Sequence, residues 1–223
     1  MLFTAILNPF CFSIKGFVDL IHRNRKWQNS KKPAILRLFM TKLSITRYPE
    51  SILKKRAAEV KRISPEIKKL ILEMVEAMYE HQGIGLAAPQ VGISQRIIIV
   101  ETSDNPRDTA KESGEHGKPL AFLNPVIAKK SKRMSPEEEG CLSLPGIFVP
   151  VKRAEKVEVV CQTPTGNQVR VVAEGLMARI FQHEIDHLNG KLIIDRLPLW
   201  KKLSVMRSLK SKGKTSSPAN SKN

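Results

Sequence analysis

Two histidines stand four residues apart, with a glutamate directly after the first, in Gln182-His183-Glu184-Ile185-Asp186-His187-Leu188-Asn189-Gly190. On an α-helix, positions i and i+4 share a face, one turn apart. His183 and His187 can therefore present both imidazoles to one metal ion. Glu184 projects about 100° round the helix from His183, within reach of a water beside that ion. Two core histidines bonded to backbone carbonyls are the ordinary alternative, and they give the intervening glutamate no task. The pattern does not name a reaction, and it leaves a third ligand to find.

Zinc peptidases that extend this motif place a third histidine six residues on, after a glycine. Gly190 is present here, but Ile193 occupies the histidine position. Asp195 is the last acid of the chain, so no glutamate further downstream can serve. The ligand must come from upstream. His22, His81 and His116 lie in a basic leader, at a helix end and in a polar loop. Cys141 is the better candidate. It sits in Glu137-Glu138-Glu139-Gly140-Cys141-Leu142-Ser143-Leu144-Pro145-Gly146, between a charged run and a turn. Alone it would read as a buried structural thiol. Beside a His pair short of one ligand it completes a Cys-His-His set, which leaves an open fourth position on a tetrahedral ion.

The elements that must position these groups are partly readable. Leu176, Met177, Ile180, Phe181, Ile185 and Leu188 recur at helical spacing, and Asn189-Gly190 supplies a stop, so the motif helix is expected from about 174 to 188 and buried. Ser64-Pro65-Glu66 opens a second amphipathic helix to about 81, with Ile67, Leu70, Ile71, Met74, Val75 and Met78 on one face. Residues 96–100 and 121–127 read as strands, and 157–161 with 168–172 as a hairpin around Pro164-Thr165-Gly166-Asn167. Gly83-Ile84-Gly85-Leu86-Ala87-Ala88-Pro89-Gln90-Val91-Gly92 is a loop of small residues. It is either a tight packing bend or a site, and Gln90 could offer an amide donor to an oxyanion.

Charge divides the chain. Residues 1–39 carry seven Lys/Arg and one acid, residues 201–223 seven and none, and the remainder 24 against 20. The folded part is thus nearly balanced, and the excess sits at the ends, where it favours an anionic surface such as RNA or lipid headgroups. Residues 1–39 lack the positive start of a secretory signal. They read as a transit peptide, a short surface anchor, or a segment ahead of a later start at Met40, and are expected to be disordered. A catalytic domain is expected over 40–198, and a basic tail over 199–223, first helical and then disordered. Three cysteines, Cys11, Cys141 and Cys161, argue for a reducing compartment rather than a disulfide framework. No apolar run approaches the ~20 residues of a membrane span.

Three stretches together resemble one family. Gly83-Ile84-Gly85-Leu86-Ala87-Ala88-Pro89-Gln90, Glu139-Gly140-Cys141-Leu142-Ser143 and Gln182-His183-Glu184-Ile185-Asp186-His187 look like the three signature motifs of peptide deformylases, in the same order. The resemblance runs from about Met40 to Leu197. It implies removal of the formyl group from formylmethionine on nascent polypeptides, and an α+β fold of partly antiparallel sheets packed around the HExxH helix.

The chemistry expected is hydrolysis by hydroxide on a metal held by Cys141, His183 and His187, with Glu184 as general acid and base. Gln90 and, by the resemblance, the Leu142 backbone N–H would meet the oxyanion. The resemblance further implies a Glu139–Arg153 pair fixing the Cys141 loop. It places Ile84, Leu176 and Ile180 around the methionine side chain, with Gly83, Gly85 and Gly140 along the substrate. A thiolate with two imidazoles suits Zn2+, Fe2+, Ni2+ or Co2+, and the resemblance implies Fe2+. The expected setting is a bacterial cytoplasm, or a mitochondrion or plastid if the leader is a transit peptide. The basic tail would suit the ribosome, and no DNA partner is expected.

Overall fold

The structure, a computed structural model, describes residues 41–102 and 118–214. The expected leader over 1–39 and the end of the tail lie outside the described residues. The described residues form α1 (Pro65–Glu80), β1 (Gly85–Ala87), β2 (Ile97–Thr102), β3 (Lys118–Lys130), β4 (Met134–Gly140), β5 (Phe148–Ala154), β6 (Lys156–Gln162), β7 (Gln168–Glu174), α2 (Gly175–Leu188) and α3 (Leu199–Lys214), with short 3-10 turns before α1, after β1 and after α2. Five strands make an antiparallel sheet in the order β1-β2-β3-β6-β7, and β4 and β5 make a separate hairpin. This is a mixed fold of helices and antiparallel sheets.

The apolar run in β2 has a direct structural reason. Ile98 and Val100 pack with Ala178, Phe181, Ile185 and Leu188 of α2, whereas Ile97 and Ile99 pack with Ile71, Met74, Val75 and Met78 of α1. Side chains alternate across a strand, so a strand covered on both faces is apolar at every position. Phe181 sets the α2 side, with its ring 5.1 Å from that of Phe122. Burying such a side chain contributes about 1.5–3 kcal/mol. Helix α2 also contacts β5, and so lies against strands of both sheets.

A third cluster joins the hairpin to the C-terminal region. Leu53, Leu144, Ile147, Val149, Val151 and Leu192–Ile194 are buried together, and Val205, Met206 and Leu209 of α3 pack against them. The start of the expected tail is therefore a helix seated on the body of the protein. Leu199, Trp200 and Leu203 on the same helix are exposed. Among the described residues, no helix is long and apolar enough to cross a membrane.

The expected helices and strands sit within a few residues of these bounds, and two further stretches take regular form. The charged run before Cys141, left without an element above, is a strand: Met134–Gly140 pairs in register with Phe148–Ala154. Its alternation turns Ser135, Glu137 and Glu139 to the same face as Val149, Val151 and Arg153, and of the three Glu139 is buried. In the small-residue stretch, Gly85–Ala87 is a short edge strand and Ala88–Val91 a 3-10 turn, ended by Gly92 at φ +80°.

Candidate metal centre

Two elements supply the candidate ligands. His183 and His187 lie in α2, and Cys141 follows the last residue of β4. Their ligand atoms all lie within 4.8 Å of one another. Cys141 Sγ is 3.3 Å from His187 Nε2, which is 3.2 Å from His183 Nε2. Three donors thus face a common point, and a thiolate with two imidazoles is a set that binds Zn(II), Fe(II), Ni(II) or Co(II).

The surroundings shift the two histidines in opposite directions. Burial works against charge on His183, but hydrogen bonds with Cys141 and Glu139 outweigh it and raise its pKa to about 10. Burial, then the neighbouring His183, pushes His187 well below the usual histidine range. The two imidazoles thus sit in unlike surroundings on one face of the helix.

Glu139 is the hub behind the ligands. Its Oε2 lies 2.9 Å from His183 Nδ1 and accepts that proton, which leaves Nε2 free to ligate. Arg153 donates to both Glu139 oxygens, each at 2.9 Å. Burial raises the Glu139 pKa, yet Arg153 and His183 more than reverse this and hold the carboxyl well below the usual range. A carboxylate so paired stays ionised and is fixed in place by the guanidinium.

Glu184 has the opposite character. It is buried, and its Oε2 has no hydrogen-bond partner. Burial pushes its pKa up to about 7, against the pull of His183 and Arg153. Gln90 is buried in the 3-10 turn beside it; its Oε1 accepts from the Ala87 N–H at 2.8 Å, and its Nε2 reaches Cys141 Sγ at 3.7 Å. The small-residue stretch earns its glycines here by close approach: a Cβ on Gly85 would lie 2.5 Å from Glu184 Oε1. One on Gly140 would meet the Phe148 ring at 2.8 Å, and one on Gly83 the Leu142 side chain at 3.1 Å. Ile180 is buried on α2, while Ile84 and Leu176 are exposed.

Sequence reasoning missed three charged groups around the hub. Arg179, one turn before His183, donates to Glu139 Oε1 at 2.6 Å. Asp186, inside the motif, accepts from Arg153 and from Arg196. The available signal was a charge on the buried face of an apolar helix, and Arg179 and Asp186 both occupy such positions.

A family model described as polypeptide deformylase matches residues 42–203. The peptide deformylase of Thermotoga petrophila is 41% identical over 162 residues, covering 73% of this chain and 91% of that one. The chloroplastic peptide deformylase 1B of Oryza sativa subsp. japonica is 41% identical over 172 residues, covering 77% of this chain and 61% of its own. Among solved structures, the peptide deformylase of Ehrlichia chaffeensis in complex with actinonin superposes with a TM-score of 0.69 at 36% identity, covering 78% of this chain and 98% of that chain. Such coverage, over the residues that carry the Cys-His-His cluster, means that the chain belongs to the peptide deformylase family.

Proposed function

We propose that this chain hydrolyses the N-formyl group of formylmethionine at the start of newly made polypeptides, at a divalent ion held by Cys141, His183 and His187. The observation that carries this reading is the meeting of those three donors with a buried Glu184, whose Oε2 has no hydrogen-bond partner, and the Gln90 amide. A purely structural metal site has no use for the last two. When bound, the ion supplies Lewis-acid chemistry: it acidifies a water and polarises a carbonyl oxygen.

The residues divide the remaining work. Glu184, with a pKa that burial brings to about 7 and a bound cation lowers, takes the proton of the attacking water and returns it to the leaving amine. Ala87 holds the Gln90 oxygen, which turns Nε2 toward the site to donate to the developing oxyanion. The Leu142 N–H, next to Cys141, is assigned as the second donor. Ile84, Leu176 and Ile180 receive the methionine side chain, and Gly83, Gly85 and Gly140 let the substrate chain run close to the backbone. Glu139 and Arg153 keep His183 in the ligating tautomer. Helix α2 is the element about which the two sheets are arranged for this purpose.

Fe2+ is the proposed native ion, on the family resemblance; the thiolate and two imidazoles suit Zn2+, Ni2+ and Co2+ equally as substitutes. Residues 40–198 are read as the catalytic domain. Residues 201–223 carry seven basic side chains and no acid, which supports docking to ribosomal RNA beside the emerging substrate. The setting is a bacterial cytoplasm, or an organelle if residues 1–39 are a transit peptide; the mass of the mature N-terminus distinguishes these.

A substrate panel tests the reading. Iron-loaded protein is expected to release formate from formyl-Met-Ala-Ser and to leave both acetyl-Met-Ala-Ser and an internal peptide bond intact. Cleavage of the internal bond without formate would make it a metallopeptidase instead.

A further inference from the structure

The metal ligands come from two elements, α2 and the β4–β5 hairpin. His183 and His187 share one helix. Cys141 leaves the β4–β5 hairpin, two residues after Glu139. Arg153, the expected partner of Glu139, sits on β5, so the Arg153–Glu139 pair lies within the hairpin. Strand β5 is itself tied to α2, because Arg153 also donates to Asp186 and the Gln182 side chain pairs with the Ala154 backbone; strand β4, which leads into Cys141, needs a tie of its own.

Arg179 meets that requirement. It lies in α2, one turn before His183, and is buried. Its guanidinium spends its donors on the hairpin: Nη1 on Glu139 Oε1 at 2.6 Å and on the Val151 carbonyl at 2.9 Å, and Nη2 on the Ser135 carbonyl at 2.8 Å. Its Nε lies 3.2 Å from Glu137 Oε2. These partners span both strands. By holding Oε1, Arg179 also leaves Glu139 Oε2 to Arg153 Nη2 and His183 Nδ1. A planar, permanently charged fork is the side chain suited to bridging a carboxylate and two carbonyls at once.

We propose that Arg179 is a positioning residue of the metal centre: it clips the β4–β5 hairpin to α2, so that the Cys141 thiolate meets the two histidines. The proposal rests on the metal-centre reading above. It differs from a general stabilising role because its loss should act on one ligand: His183 and His187 stay together on their helix, while Cys141 is no longer held against them.

Cobalt(II)-loaded protein separates these possibilities, since thiolate-to-cobalt charge-transfer absorption reports the cysteine ligand alone. In Arg179→Gln, affinity measured by chelator competition should fall about 10–100-fold, and the charge-transfer band should weaken even at saturating cobalt. Arg179→Lys, which can still reach Glu139 with one donor, should recover part of both. Wild-type affinity and band in a folded Arg179→Gln protein would overturn the proposal. If that variant does not fold, Arg179→Lys carries the test: several-fold weaker binding with a reduced band supports the clip, and wild-type values overturn it. Cys141→Ser is the reference. A band and an affinity unchanged in Cys141→Ser would instead remove the metal-centre reading itself.

Discussion

Gly85 and Glu184 are in direct apposition: a methyl group on Gly85 would stand 2.5 Å from Glu184 Oε1 and 2.9 Å from Ile180 Cγ2. No positive φ is involved at Gly85, so the glycine is required by space, not by backbone strain. Gly85→Ala should therefore keep the fold but displace the Glu184 carboxylate. Displacement of a proton-transfer group by about 1 Å costs on the order of 100-fold. The expected outcome is such a loss in kcat/KM for formate release, with an unchanged far-UV circular dichroism spectrum.

Glu139 gives a pH prediction whose sign follows from its environment. Its carboxyl is held below the usual glutamate range in the fold, because Arg153 and His183 outweigh burial. The native state thus favours the ionised form. That contribution is fully present above the ordinary glutamate pKa and is lost as pH falls below it. Acid unfolding of the metal-free protein should show the wild type losing stability more steeply below about pH 4.5 than Glu139→Gln, which has no such proton to gain. Parallel curves would show that the Arg153 pair does not select the charged form.

The helix and the hub were legible to different degrees, for physical reasons. The motif helix was readable because its information is local: His183 and His187 are one turn apart, and the flanking apolar residues share their period. Strand β4 was not. Pro136 and three consecutive glutamates argue against a strand on local propensity. What makes it one is distant, namely register with β5 and the guanidinium groups that receive Glu137 and Glu139. Arg179 and Asp186 escaped for the same reason, since each acquires its role from partners on other elements. Cys141 was reachable because the count of ligands around the His pair fell one short.

The two described cysteines should behave differently. Burial pushes the Cys161 thiol up to about 12, so it stays protonated, and unreactive, at pH 8. Cys141 is only partly buried and is a candidate ligand. In a Cys11→Ser background, iodoacetamide at pH 8 should modify Cys141 in metal-free protein, spare it in metal-loaded protein, and leave Cys161 intact in both. Mass spectrometry of the peptides reads each site.

Helix α3 is expected to act on stability before it acts on any partner. Val205, Met206 and Leu209 cover the cluster around Leu53, Leu144 and Leu192. Ending the chain at Pro198 exposes that surface and should cost about 2–4 kcal/mol, from three partly buried side chains. Ending it after Lys214 should leave the melting temperature unchanged. Ribosome docking is best tested by neutralising Arg207 and Lys222, which leaves Val205, Met206 and Leu209 in place; unchanged co-sedimentation at low salt would exclude a role for those charges.

The central claim is that Glu184 moves the proton in a hydrolysis carried out beside Cys141, His183 and His187. It is tested most directly by formate release from formyl-Met-Ala-Ser with wild type and Glu184→Ala, each loaded with iron and its metal content measured. The account predicts turnover by the wild type and a fall of about 10²–10⁴-fold in the variant, with the ion still bound. Undiminished formate from metal-replete Glu184→Ala, or none from metal-replete wild type, would contradict it.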